Sequence, residues 1–349
     1  MGETLDKPPE TTKHHQPNFL VTIDAEGDNL WSKPRTITTR NADYLHRFQA
    51  LCESYGLRPT YLTNYEMANS RSFQEFGKDV LKRRTAEIGM HLHAWNTPPL
   101  IPLTKDDFAF QPYLIEYPEA VMQEKITVIT DLLEETFGVK MISHRAGRWG
   151  FNGTYGRALV AKGYRVDCSV TPHVSWTGHL GDPDGAGGTD YSRFPVDSYF
   201  LDLNDISRSG DSPLLEVPMT IVLSGSPSMD WLRRPLSNLS LARRALNRLF
   251  PWVYWLRPDR KNRDDLVRIV RQAARDKKPY VEFMLHSSEL MPGGSPIFPT
   301  SEDVERLYHN LEVLFGVARE TCVGTTLREF YEQVLADHAQ AEGRPRPFA

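Results

Sequence analysis

Seven short apolar runs, separated by longer segments of helical period, constrain this chain most. They are Phe19 to Ile23, Pro59 to Leu62, Glu87 to His93, Met141 to His144, Tyr164 to Cys168, Leu214 to Pro218 and Tyr280 to Leu285, each about the length of a strand. Parallel strands need a crossover between them, usually a helix, and the intervals are long enough to supply it. Asp43 to Tyr55 reads as a helix closed by Gly56, and Glu119 to Phe137 as another closed by Gly138. In the second, Met122, Ile126, Ile129 and Leu133 form one apolar face. Thr300 and Asp303 make a capping box ahead of the stripe Val304, Leu307, Leu311 and Leu314. The rhythm predicts βα units and an α/β fold built on a largely parallel sheet or barrel.

No Ser/Gly/Pro-rich linker divides the 349 residues, and barrels of this kind often fill that length alone. The expected organisation is a disordered tail over 1–17, a single catalytic barrel over 18–336 with a basic insertion at about 225–279, and a polar tail over 337–349. Between Trp231 and Tyr280, 14 Lys and Arg face four Asp, a net +10 against −14 for the remainder of the chain. Trp252, Tyr254, Trp255 and Leu256 among these arginines suit peripheral contact with an inner-membrane surface. Pro235, Pro251 and Pro258 break any long amphipathic helix there, which favours a lid packed on the barrel instead. The acidic remainder argues against nucleic acid as a partner. The glycine-rich run over 181–188 lacks the strand and helix of a phosphate loop. Cys52, Cys168 and Cys322 lie far apart and suggest neither a disulfide framework nor a Cys-x-x-Cys metal site. With a polar N-terminus and no apolar run of membrane-spanning length, a cytoplasmic location is expected.

In such a barrel the catalytic groups come from the C-terminal ends of different strands, where the loops converge. Asp24 and Glu26 follow the first run, His91 and His93 end the third, His144 and Arg145 follow the fourth, and His286 follows the last. In extended chain, residues i and i+2 share a face, so the two carboxylates can point one way and the two imidazoles likewise. Two imidazoles and a carboxylate, with room for water, are the usual ligands of a catalytic zinc or similar divalent ion. Trp95 and Trp149 adjoin these groups and offer apolar faces to a sugar ring, although both also suit packing. His144 reads equally well as a satisfied core histidine.

These residues resemble the polysaccharide deacetylases with a NodB-homology domain, carbohydrate esterase family 4, over most of Asn18 to Phe330. The family opens on Thr-Phe-Asp-Asp-Gly, and this chain has Thr22-Ile23-Asp24-Ala25-Glu26-Gly27. The resemblance gives Asp24 the role of general base. Ala25 stands where the family has its metal-binding aspartate, so that role moves to Glu26, with Asp28 in reserve. The family's His-x-x-x-His is replaced by His91-Leu92-His93, which resembles a subgroup carrying Gly-x-His-Leu-His-x-Trp and makes both histidines metal ligands. Arg145-Ala146-Gly147-Arg148-Trp149-Gly150 loosely matches the third motif, and Arg145 inherits the task of holding the base. Met284-Leu285-His286 approximates the last motif, and His286 inherits the role of general acid. What the resemblance implies is a distorted (β/α) barrel of about seven strands and a hydrolase dependent on a divalent metal, most simply Zn2+, that removes an acetyl group from an N-acetylated or O-acetylated saccharide. Two other readings stay open. One is a different amide hydrolase on the same scaffold, of deformylase or cyclic-amidase type. The other is an inactive glycan- or partner-binding relative, motivated by Ala25 and the short histidine spacing.

Overall fold

The computed structural model describes residues 16–224 and 253–341. Its strands are β1 (Asn18–Ala25), β2 (Thr60–Thr63), β3 (Glu87–Leu92), β4 (Ser143–Ala146), β5 (Val166–Asp167), β6 (Tyr199–Phe200), β7 (Leu215–Glu216), β8 (Ile221–Leu223), β9 (Val253–Trp255), β10 (Tyr280–His286) and β11 (Val323–Thr325). The helices are α1 (Leu45–Ser54), α2 (Tyr65–Ala68), α3 (Arg71–Arg83), α4 (Asp107–Phe110), α5 (Glu119–Phe137), α6 (Gly153–Lys162), α7 (Arg263–Arg275), α8 (Ser301–Thr321) and α9 (Leu327–Ala341). Seven strands run parallel in the spatial order β10, β1, β2, β3, β4, β5, β7, and these correspond to the seven apolar runs. Two additions were not visible as runs. Strand β6 pairs antiparallel on β7, and β11 pairs with β1 at Asn18 to Leu20 before β2 takes over at Thr22. The expected distorted barrel is therefore a curled, mostly parallel sheet wrapped by helices.

Strand parity sorts the side chains. Phe19, Val21, Ile23 and Ala25 join the large outer core with the helices. Leu20 instead joins Leu62, Val166, Cys168, Leu215 and Val217 inside the curl. Leu327 and Phe330 of α9 pack into that inner cluster, with Phe330 5.1 Å from the Tyr280 ring. This apolar cluster fills part of the interior, and the inward residues at the far ends of β1, β3 and β4 are polar. Thr22, Asp24, Glu26, His91, Arg145 and Glu282 are all at most 4% exposed, so each of these needs a partner in the interior.

The segment expected as a basic insertion divides. Residues 225–252 lie outside the described residues, so the lid and membrane readings of that part do too. Beyond them, β9 pairs antiparallel with β8, and α7 packs on α8 and β10. Leu266, Ile269, Val270 and Ala273 form the buried face of α7, a helical period that the surrounding arginines obscured in the sequence. The helix boundaries follow the expected chemistry: Gly138 ends α5 at φ 68°, and the Oγ1 of Thr300 accepts from the Asp303 N–H at the start of α8. No helix among the described residues is long and apolar enough to cross a membrane.

Candidate metal centre and active site

The sheet register brings the sequence motifs together. Asp24 lies level with His286 across β1 and β10, and His91 lies level with Arg145 across β3 and β4. Ala25 faces the outer core while Glu26, two residues beyond Asp24, faces inward, so strand parity moves the second carboxylate one position along the chain. Glu26, His91 and His93 each offer one donor atom, and these atoms lie within 4.8 Å of one another. The two histidine Nε2 atoms are 3.0 Å apart, and Glu26 Oε2 is 3.6 Å from His91 Nε2 and 3.5 Å from His93 Nε2. Ligands about 2.0–2.1 Å from a tetrahedral ion are separated by roughly 3.4 Å. The donor set and its spacing therefore fit a divalent cation held by these three residues.

Neighbouring groups orient the ligands. Nδ1 of His91 donates to the Arg145 carbonyl oxygen at 3.0 Å, which leaves the Nε2 lone pair facing Glu26. His93 stacks on Trp95 with ring centroids 4.4 Å apart, and its Nδ1 is buried without a partner. Burial pulls both histidines toward the neutral form. At His91 the carboxylates of Asp24 and Glu26 outweigh it and hold the pKa above the ordinary value, whereas His93, set against His91, is held well below. A Cβ on Gly147 would lie 2.4 Å from the Leu92 carbonyl oxygen and 2.5 Å from His93 Cδ2, so only glycine lets the loop after β4 approach this close. Asp28 is turned away from the cluster. Its carboxylate caps the loop after β1, accepting from the Asn41 backbone and side chain at 3.0 and 2.7 Å and from Thr38 at 2.7 Å.

Arg145 is fully buried and ties the interior together. It donates through Nη1 to Asp24 Oδ1 at 2.6 Å, through Nη2 to Thr22 Oγ1 at 2.8 Å and to Glu282 Oε1, and through Nε to the Cys168 carbonyl oxygen at 3.2 Å. Two carboxylates share one guanidinium. Burial pushes both up in pKa, but at Asp24 the Arg145, His91 and His286 charges prevail and hold it well below the usual carboxylate range. Glu282 is left pushed up to about 7, its Oε2 without a partner. Asp24 therefore stays ionised beside the cluster, with Oδ2 3.9 Å from His91 Nε2 and 3.8 Å from His286 Nε2. His286 also stands 3.8 Å from Glu26 Oε1.

A cavity of about 310 Å³ opens over these groups, bordered by Trp31, Trp95, Tyr113, Trp149, Trp176 and Arg257 among others. Trp149 is half-buried, with Arg145 Cζ 4.9 Å from its ring centroid, and Trp31 meets the His286 ring edge-on at 4.9 Å. Trp95 is only 5% exposed. His144 lies outside the cavity, bonded to Asp167 at 2.5 Å and to the Tyr155 hydroxyl at 2.8 Å as a satisfied core histidine. Sequence reasoning passed over Arg257, Trp31, Trp176, Glu282 and Glu289. Only Glu282 carried a signal, as the lone charge in an otherwise apolar strand.

No family model matches the sequence, and no curated protein does either. Solved structures do match. A Mycobacterium smegmatis protein provisionally described as a polysaccharide deacetylase aligns over 99% of both chains at 14% identity, with a TM-score of 0.51. A variant of the Bacillus subtilis peptidoglycan deacetylase PdaC aligns over 97% of this chain and 100% of its own at 12% identity and a TM-score of 0.42. A carbohydrate esterase family 4 pseudoenzyme of Bacillus anthracis aligns over 91% of this chain and 66% of its own, with 12% identity and a TM-score of 0.39. The first of these likenesses gives the chain the polysaccharide-deacetylase fold.

Proposed function

We propose that this chain is a divalent-metal-dependent deacetylase that hydrolyses the acetamide of an N-acetylated saccharide, with acetyl esters as a second substrate type. The observation that carries the reading is the convergence of Glu26, His91 and His93 on one point, with ionised Asp24 and His286 both within 4 Å of that cluster. An ion held there, most simply Zn2+, supplies Lewis acidity toward a carbonyl and makes hydroxide available near neutral pH. Asp24 takes the proton of the attacking water, and Arg145 fixes its carboxylate in place for that task. His286 delivers the proton that the leaving nitrogen needs. Trp149 and Trp95 flank the cavity as apolar walls for the sugar ring.

The chain purified without a histidine tag is expected to hold about one equivalent of metal and to release acetate from N-acetylglucosamine oligomers. His91→Ala with His93→Ala is expected to lose both. Equal metal in wild type and double variant would sink the assigned ligands. Metal retention and glycan binding with no acetate released would favour the inactive-relative reading, and turnover confined to small formamides or cyclic amides would favour the other amide hydrolase.

A further inference from the structure

We propose that Arg257 is a positioning residue that sets the tautomer of His286, so that this histidine presents N–H rather than a lone pair to the cleft. Two histidines of the cavity, His91 and His286, are distinguished by what meets Nδ1. At His91 the partner is the Arg145 carbonyl oxygen, 3.0 Å away. A carbonyl only accepts, so the hydrogen sits on Nδ1 and Nε2 keeps its lone pair. At His286 the partner is Arg257 Nη2, also 3.0 Å away. A guanidinium only donates, so Nδ1 must hold the lone pair and Nε2 the hydrogen. That Nε2 is the atom 3.8 Å from both Asp24 Oδ2 and Glu26 Oε1.

Arg257 is itself anchored. Its Nη2 donates to Glu289 Oε1 at 2.9 Å, and Glu289 Oε2 accepts from the His286 backbone N–H at 2.8 Å, which closes a ring of contacts around the imidazole. Glu289 is fully buried and stays ionised beside Arg257, as the pair requires. Glu289 Oε2 is the more distant neighbour of Nδ1, at 3.5 Å against 3.0 Å for Arg257 Nη2. One consequence follows. With its lone pair on Nδ1, His286 is a donor to the cleft and not a fourth ligand, which leaves the three-residue donor set an open position for water or substrate.

The role in turnover rests on the deacetylase reading, but the tautomer is measured without any substrate, so the two can fail separately. The full chain is labelled with ¹⁵N-histidine and the ring of His286 is identified by its loss in His286→Gln. At a pH where the ring is neutral, the wild type is expected to show a pyridine-like Nδ1 and a pyrrole-like Nε2. Arg257→Leu is expected to mix or reverse the two tautomers, and Arg257→Lys, which still donates, to restore the wild-type pattern. On an acetylated oligosaccharide, kcat of Arg257→Leu should fall on the order of 10–100-fold with KM little changed. Metal content and thermal melting report whether each variant folds. A hydrogen on Nδ1 in the neutral wild-type ring overturns the proposal even if no variant folds. So does an unchanged pattern in folded Arg257→Leu.

Discussion

Arg145 binds two carboxylates with one charge, and the imbalance falls on Glu282. Replacing it by leucine leaves the buried Asp24 and Glu282 without their cation, at an expected cost of about 3–5 kcal/mol in urea unfolding. Glu282 carries a pH dependence. Its folded-state pKa of about 7 lies above the ordinary glutamate value of 4.5, so the folded chain binds that proton more tightly than the unfolded one. The resulting stabilisation is complete below about pH 4.5 and is lost as pH rises through about 7, a change on the order of 3 kcal/mol. Unfolding midpoints measured from pH 4.5 to 8 should therefore drop in the wild type, and Glu282→Gln should remove most of that drop while leaving Arg145 bonded. Arg145 was legible in the sequence because it follows a strand beside a histidine and glycines. Glu282 was not assigned, since its partner lies 137 positions away in the chain.

Strand parity does most of the work at the level of elements. Alternation sends Ala25 outward and Glu26 inward, and it places His91 and His93 on one face. The period of two was readable from the sequence alone. The close approach between β3 and the loop after β4 was not, because Gly147 looks like any motif glycine until its neighbours are placed. Gly147→Ala would drive a methyl group against the Leu92 carbonyl and the His93 ring. It is expected to lower metal content and acetate release at least tenfold while the far-ultraviolet circular dichroism stays that of the wild type. The apolar face of α7 makes the complementary point. Its period was present in the sequence but was read as part of a basic insertion, and only its packing against α8 and β10 gives Leu266 and Ile269 a core to enter. Ile269→Ala is expected to cost about 2–5 kcal/mol, measured by urea unfolding.

At the scale of the whole molecule, apolar packing fills part of the interior of the curled sheet, and the polar cluster lies at the far ends of β1, β3 and β4. Metal binding should then appear as stability. At a free ion concentration about 100 times its dissociation constant, the folded state gains roughly 2.7 kcal/mol. Calorimetry is expected to show the melting temperature raised by added Zn2+ and lowered by a chelator, with His91→Ala plus His93→Ala responding to neither.

The βα rhythm, the strand ends and the residue types placed there were set by the local order of the chain, because hydrophobic period and turn chemistry act over a few residues. That order was enough for the fold class and for the candidate ligands. Which nitrogen of each histidine faces the cleft, which carboxylate keeps its charge, and how β6 and β11 complete the sheet were decided by the tertiary structure. Those outcomes depend on contacts such as Arg145 with Asp24 and Arg257 with His286, which join positions 121 and 29 residues apart. Hydrogen bonding and desolvation act through space, and only the closed fold brings such partners within their reach.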